Sequence, residues 1–175
     1  LLVSVRSGAK ESMPGMMETV LNVGLTNNTV SGLAKSSSNE RFAYDSYRRL
    51  IMMYADVVME KSEKIEVENN IGIRHQLEAF MEKYKKNKGC KNDIDLDAND
   101  LKSLCGEFKK IIKKTLGSEF PDDPDIQLSN AIKAVFQSWN GERAKHYRKI
   151  EGISDRAGTA VNIQSMVFGN MGSGS

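Results

Sequence analysis

The first residues of the chain alternate between apolar and polar positions in a way that predicts a short strand. Successive side chains of a strand point to opposite faces, so every second residue shares a face. One face would carry Leu1, Val3 and Val5, and the other would carry Leu2, Ser4 and Arg6. We therefore expect the first face to pack in a core, while Ser4 and Arg6 look into a cleft.

Two other segments have patterns that suit strands. Residues 16–25 are apolar with β-branched members and predict either a second strand or a short helix, closed by Asn22 and Gly24. Residues 159–168 alternate again and predict a strand near the end of the chain. Its faces would carry Val161, Ile163 and Val167 on one side, and Ala160, Gln164, Met166 and Phe168 on the other.

Helical periodicity dominates the part of the chain between these strands. Apolar residues recur at helical spacing over 43–58, and residues 36–39 offer a cap for that helix. A second helix is predicted over 74–88 and ends at Gly89. A third helix follows Asp97, which can cap it together with Asp100. The apolar stripe of the third helix consists of Leu101, Leu104, Cys105, Phe108, Ile111, Ile112 and Leu116.

The sequence Asp-Asp-Pro at 122–124 predicts the start of a further helix, because proline is favoured in the first helical turn. Gly141 would interrupt this helix, and residues 142–150 would continue as another helical segment. The buried stripe of the further helix would consist of Leu128, Ile132, Val135, Phe136 and Trp139.

Composition narrows the class of protein. The 175 residues are 39% hydrophobic and 27% charged with a net charge of +2, which is typical of a globular protein and too small a charge to indicate nucleic-acid binding. No apolar run approaches the roughly 20 residues of a membrane helix.

Cys90 and Cys105 do not form a metal clip and are expected to be reduced thiols in the cytoplasm. Because the chain starts with Leu1 and ends in Gly-Ser-Gly-Ser, we expect both ends to be cuts in a longer protein.

The end of the first predicted strand has the chemistry of a phosphate site. Arg6 offers a planar fork of donors, and the following Ser7-Gly8 and Pro14-Gly15 break regular structure. Turns that contain glycine can direct consecutive backbone N–H groups toward an anion. Spacing alone favours a simpler interpretation, which is a strand end with one surface arginine and a turn.

Four blocks of sequence make the phosphate hypothesis specific. They are SVRSGAK with SMPGMMETVLNVGL near the start, ERFAYDSYRRLIMMYADVVME at 40–60, AIKAVFQSWNGERAKHYRKIEGI at 131–153, and GTAVNIQSMVFGNMG at 158–172. In this order the blocks closely resemble the nucleotide-binding domain of the pyruvate, phosphate dikinase family. Residues 61–118 match the family only loosely, and Glu18 stands where many relatives have aspartate.

The resemblance implies an α+β fold, a central piece of an ATP-grasp-like nucleotide-binding domain. Residues 1–27 would be the first part of its α/β layer. Residues 28–118 would form an inserted all-helical subdomain, and residues 119–175 would return to the α/β layer. The resemblance also implies that the full-length enzyme is a cytoplasmic homodimer.

The resemblance further implies a reaction. The family converts ATP, phosphate and pyruvate into AMP, pyrophosphate and phosphoenolpyruvate through a phosphohistidine on a swivelling domain. This piece would bind ATP with magnesium, whose ligands are expected outside it, and it should be inactive alone. The alternatives are a phosphoenolpyruvate synthase, which uses water as the second acceptor, and a non-catalytic helical interaction module.

The site residues that the resemblance implies lie at both ends of the chain. Arg6 would contact the ATP phosphates as the catalytic residue, with Gly15 and Thr19 in a loop over the phosphates. Gln164, Met166 and Val167 would lie beside the adenine, although periodicity alone indicates only a core strand. Arg143 is the candidate for docking the phosphohistidine domain.

Other polar residues have ordinary interpretations. The arginines beside apolar stripes, Arg48, Arg49, Arg143 and Arg148, are typical of surface ion pairs. His75 and His146 are expected to be surface histidines. The acidic run Asp93, Asp95 and Asp97 lacks the glycine and glutamate of a calcium loop, so we predict a loop and a helix cap with no metal.

Overall fold

A computed structural model describes residues 1–63, 65 and 71–169, which form six α-helices and three strands. The α+β class is therefore as predicted. The strands are β1 (Val3–Ser7), β2 (Thr19–Val23) and β3 (Val161–Ser165). The helices are α1 (Val30–Ser37), α2 (Glu40–Tyr54), α3 (Ile73–Lys88), α4 (Ala98–Leu116), α5 (Pro124–Ser138) and α6 (Glu142–Glu151). The terminal Gly-Ser stretch lies outside the described residues.

The three strands form one antiparallel sheet in the order β2-β1-β3. Val5 in the central strand lies opposite Val20 on one side and Ile163 on the other. The pairing with β2 shifts register between Val3 and Val5, which is a β-bulge. The segment at 16–25 is therefore a strand, and the two ends of the chain meet in one sheet.

One face of the sheet packs against helix α5, which contacts both β1 and β2. Val5 and Val20 are fully buried in the hydrophobic core. The prediction that Val5 packs is confirmed, whereas Leu1 is fully exposed and lies before the strand. Ser4 is buried, and Arg6 is exposed.

Helix α2 is the centre of the helical layer, and it packs against α1, α4 and β2. Its predicted stripe is confirmed, but after Tyr54 the backbone widens into a π-helical stretch, Ala55–Lys61. The predicted caps are also confirmed. Asn39 accepts from the N–H of Phe42, Asp97 and Asp100 form a reciprocal capping box, and Gly89 ends α3 at φ 73°.

The buried face of α5 agrees with the predicted one at Val135 and Trp139, which are buried, and differs at the other three positions. Phe136 is 48% exposed, and Leu128 and Ile132 are only partly buried. The helix instead buries Ala131 and Ala134, whose small side chains let it approach the sheet closely. Gln127 is also fully buried because its amide accepts from the N–H of Gly24 and donates to the carbonyls of Leu25 and Pro121.

Two arginines that the sequence assigned to the surface are buried, so that prediction was wrong. The Arg148 guanidinium is 4.1 Å from the Trp139 ring centroid and donates to the Trp139 carbonyl at 2.6 Å and to Asp155 at 2.7 Å. Arg48 pairs with Asp45 at 2.6 Å. Each guanidinium can be buried because protein groups replace the water that it loses. His75 and His146 are exposed, as predicted.

One continuous hydrophobic cluster joins the sheet to the helices. It extends from Val5 in β1 through α2 and α4 to Val135 in α5. The division of the chain at residues 28 and 118 stays a prediction.

In the described part of the chain, no helix has the length and apolar character needed to cross a bilayer. Cys90 and Cys105 are free thiols, and burial raises the pKa of Cys105 to about 12.

Acid should remove the contribution of Asp45 to stability. Burial disfavours ionisation of this carboxyl, but hydrogen bonds and charge from Arg48 and Arg49 outweigh burial and lower its pKa from the ordinary value of 3.8. A carboxyl whose pKa is lowered on folding stabilises the protein above its unfolded pKa and loses that effect as the pH falls through its folded pKa. Asp45→Asn should cost about 1–3 kcal/mol near neutral pH.

Urea unfolding of wild type and Asp45→Asn across a pH series measures this effect. The gap in the free energy of unfolding should shrink as the pH falls below 3.8, the ordinary pKa of an aspartate. A gap that stays constant down to full protonation would show that Asp45 acts through packing rather than charge.

Candidate functional site

The face of the sheet opposite the core carries polar side chains, which we call the polar face. Arg6 in the central strand lies directly opposite Thr19 on β2 and Asn162 on β3, and Ser4 lies opposite Gln164. Residues that lie directly opposite in an antiparallel pair share a face. The structure therefore brings three predicted site residues, Arg6, Thr19 and Gln164, onto one surface.

Arg6 is oriented by a neighbour from the far end of the chain. Its Nη2 donates to Oε1 of Gln164 at 2.8 Å. The side chain is exposed, and among the described residues it has no carboxylate within ion-pair distance. A guanidinium has five N–H donors, so most of them remain available to a bound anion. The polar face thus presents a positive charge that has no ion-pair partner among the described residues and is oriented by one hydrogen bond to Gln164.

Asn162 belongs to the polar face, although it was not among the site residues predicted from the sequence. It lies opposite Arg6 in the register of β1 and β3. The alternation over 159–168 contained the necessary signal, because residue 162 falls on the same side as Gln164. Its amide lies over Gly8, 3.0 Å from the position that a Cβ of Gly8 would take.

Gly15 lies in the loop between β1 and β2, and a hydrogen bond holds each end of this loop. The N–H of Gly8 donates to the Ala160 carbonyl at 2.7 Å, and the N–H of Glu18 donates to Oγ of Ser138 at 3.2 Å. Gly15 itself is exposed with a φ of 72°, and no atom lies within 4 Å of the position that a Cβ would take. The left-handed backbone, rather than lack of space, explains glycine here.

Met166 and Val167 follow the end of β3. The N–H of Met166 donates to the Leu2 carbonyl at 2.9 Å, which extends the pairing of the two segments. Met166 is partly buried, two positions beyond Gln164, and Val167 is 88% exposed. Gln164 and Met166 thus continue the line of the polar face, whereas Val167 lies in solvent.

A concave surface lies where the loop meets helices α5 and α6. This loop–helix cleft has a volume of about 530 Å³, and its wall includes Glu18, Lys61, Ser138 and Arg143. Arg143 donates from Nη2 to Oε1 of Glu18 at 3.3 Å, and its side chain is 67% exposed. Arg143 was predicted from the sequence as a docking residue, whereas Glu18 was noted only as a departure from aspartate.

The groups around Arg6 do not suit a magnesium ion. The polar face offers guanidinium, amide and hydroxyl groups, whereas Mg²⁺ is usually held by carboxylates together with substrate phosphates. Across residues 1–63, 65 and 71–169, no three His, Cys, Asp or Glu side chains are grouped so that they could hold a metal. The position of the magnesium ligands outside this chain stays a prediction.

Comparison with known proteins agrees with the resemblance seen in the four sequence blocks. A family model described as "Pyruvate phosphate dikinase, AMP/ATP-binding domain" matches residues 1–175. The chain is 51% identical over 173 residues to pyruvate, phosphate dikinase of Clostridium symbiosum, and 54% identical over 173 residues to chloroplastic pyruvate, phosphate dikinase 1 of Arabidopsis thaliana. Each match covers 98% of this chain, but only 18% and 17% of the respective relative. The chain, with its exposed arginine at the centre of the polar face, belongs to the pyruvate, phosphate dikinase family and matches its AMP/ATP-binding domain.

Proposed function

We propose that this chain is the ATP-binding portion of a pyruvate, phosphate dikinase. The parent enzyme would convert ATP, phosphate and pyruvate into AMP, pyrophosphate and phosphoenolpyruvate. The observation that supports this best is the placement of Arg6, which is exposed, without an ion-pair partner among the described residues, and oriented by Gln164 at 2.8 Å. Membership of the family indicates which reaction the parent catalyses, and the Arg6 guanidinium has the charge and exposure that suit an anion.

In this proposal the Arg6 guanidinium binds the phosphates of ATP and neutralises charge as a phosphoryl group leaves. Charge stabilisation by positioned donors is the main contribution of a protein to phosphoryl transfer. Thr19, directly opposite Arg6, would donate its hydroxyl to the same phosphates. Gly15 would let the loop backbone approach them, because it has no side chain and its surroundings are open.

The adenine would lie along the end of β3, within an ATP-grasp-like arrangement. Backbone groups between Gln164 and Val167 other than the Met166 N–H, which already donates to Leu2, would pair with its edge, and Met166 or Val167 would cover the ring. The large exposed fraction of Val167 supports this role, because an apolar side chain in solvent gains by covering a ligand.

Further parts of the parent would complete the reaction. Magnesium would arrive with ATP and be held by ligands elsewhere in the parent, where it would neutralise phosphate charge. The acceptor would be a histidine on a swivelling domain that docks at the loop–helix cleft through Arg143. Charge supports that docking site, since three cations, Lys61, Arg143 and Lys145, line the cleft against two carboxylates, Glu18 and Glu142, and the excess positive charge would attract a phosphorylated group. A homodimer in the cytoplasm completes the proposal, although the Arabidopsis relative is named as chloroplastic.

The test is AMP formation by the full-length parent from ATP and pyruvate, with and without added phosphate. Turnover that requires phosphate would establish the dikinase. Turnover that is indifferent to phosphate would assign a phosphoenolpyruvate synthase instead. If no AMP forms under either condition, the chain acts as a non-catalytic helical interaction module and the proposal is wrong.

A further inference from the structure

We propose that the free edge of β3, together with the flank of α5 beside it, is the docking site of a further β-strand from another segment of the parent polypeptide. The docked segment would be extended and would carry apolar residues at every second position. The inference requires a longer parent but not the proposed reaction, so it can fail or hold independently of AMP formation.

The strand β3 leaves half of its backbone groups without a partner in the sheet. Among the described residues, β3 pairs only with β1 and forms one rim of the sheet. The N–H of Gly8 donates to the Ala160 carbonyl, and bonded and non-bonded pairs alternate along an antiparallel ladder. The even-numbered residues of β3 therefore bond to β1, whereas the N–H and C=O groups of Val161 and Ile163 point to the free edge.

The composition of β3 does not protect this edge. Edge strands of native proteins are commonly blocked by charged side chains, by proline or by a bulge. The sequence of β3, VNIQS, contains no charged residue and no proline, and its pairing with β1 has no bulge. At the opposite rim of the sheet, by contrast, the N–H of Leu21 in β2 already donates to Sδ of Met53 in α2. We therefore expect the edge of β3 to be covered in the parent.

An apolar groove lies along the same edge on the core face of the sheet. Ile163 lies opposite the buried Val5 and therefore on the core face, yet it is 50% exposed. Helix α5 contacts β3, and its residues Leu128, Ile132 and Phe136 follow one another at intervals of four and share one flank of the helix. Phe136 is 48% exposed. We call Ile163 and these three residues the edge groove.

The contacts of α5 show which of its flanks is open. Lys133 pairs with Glu63 at 2.7 Å, and Gln137 accepts from Oγ of Ser62, so this flank of α5 faces the end of the π-helical stretch. Residues 128, 132 and 136 lie about a third of a turn further around the helix. Because α2 packs against β2, at the other rim of the sheet, the edge groove lies on the β3 side.

A strand of the same polypeptide suits this surface. The matched relatives are far longer than the chain, which covers only 18% and 17% of them, so most of the parent would lie outside these 175 residues. An added strand would pair its backbone with Val161 and Ile163, and every second side chain would cover Ile132 and Phe136. Pairing at these two residues of β3 leaves residues 164–167 to the adenine.

Hydrogen–deuterium exchange of the full-length parent, resolved to single residues by electron-transfer fragmentation, tests whether the edge is paired. The amides of Val161 and Ile163 should show protection within about tenfold of that of Asn162 and Gln164, because a paired edge opens together with its sheet. Any larger loss of protection at Val161 and Ile163 would show an open edge and overturn the inference.

Photo-crosslinking in the full-length parent identifies the occupant. Phe136→benzoylphenylalanine should crosslink to a segment outside the 175 residues. Refolding a mixture of isotopically labelled and unlabelled copies should give crosslinks only within one copy. Lys133→benzoylphenylalanine, on the flank that Glu63 covers, is the matched control and should not reach that segment.

Three outcomes of the crosslinking would overturn the inference. Crosslinks between labelled and unlabelled copies would assign the edge groove to a second copy of the chain. Equal crosslinks from both positions, or none from position 136, would show that no strand docks there. Neither measurement uses ATP, so a failure here leaves the proposed function to the AMP assay.

Discussion

Replacing Arg6 by alanine should lower AMP formation by the full-length enzyme by at least about 100-fold, which is the loss expected when a positioned donor to a charged transition state is removed. The guanidinium is exposed at the centre of the polar face and is oriented by Gln164. Its loss would leave the phosphates facing neutral amide and hydroxyl groups. The measurement is phosphate-dependent AMP formation from ATP and pyruvate.

Folding should hardly change in the Arg6→Ala protein. An exposed side chain with one hydrogen bond should contribute no more than about 0.5–1 kcal/mol to the free energy of unfolding. Arg156→Ala, which removes another exposed arginine, is the matched control and should retain activity. A loss of several kcal/mol in urea unfolding of Arg6→Ala would assign Arg6 a structural role and weaken the site.

Replacing Phe108 by alanine should lower the free energy of unfolding by about 3–5 kcal/mol, the usual cost of truncating a fully buried aromatic side chain. Phe108 is 0% exposed and lies on the face of α4 that packs in the hydrophobic core. Its ring packs edge-on against Phe80 of α3 with centroids 6.3 Å apart. The substitution would therefore leave a cavity between two helices. Urea unfolding measures the effect.

Lys114→Ala is the control for this core prediction, because Lys114 is on the exposed side of the same helix. Its effect should stay within about 0.5 kcal/mol, as for most surface substitutions. If Phe108→Ala were also near neutral, α4 would not be packed in solution as the structure describes.

The helices α2, α3 and α4 could be predicted because their determinants are local. Each has a stripe of apolar residues at helical spacing and a cap at one or both ends, as the Asp97–Asp100 box of α4 illustrates. Helix α1 was not predicted, because its 8 residues contain only two buried ones, Val30 and Leu33, too few to show a period. The change to π-helix at Ala55 also left no recognisable signal in the apolar pattern.

The buried polar residues could not be predicted from local patterns. Gln127 and Arg148 are buried because distant or looping segments supply partners for their polar atoms, such as the N–H of Gly24 and the Trp139 carbonyl. A helical period assigns such residues to the surface, since it counts their polarity and not the partners that satisfy it. The same period placed the exposed Phe136 in the core, because it counts an apolar residue as buried whether or not another element packs against it.

By itself the sequence determined the α+β class, most helix boundaries and, through four ordered blocks, the family. These follow from local periodicity, capping and residue identity. Only the tertiary structure decided that Arg6 meets Gln164, 158 positions away, and that Asn162 completes the polar face. It also decided that Glu18 pairs with Arg143, 125 positions away. Such contacts depend on strand register and helix docking, which many distant apolar residues set together.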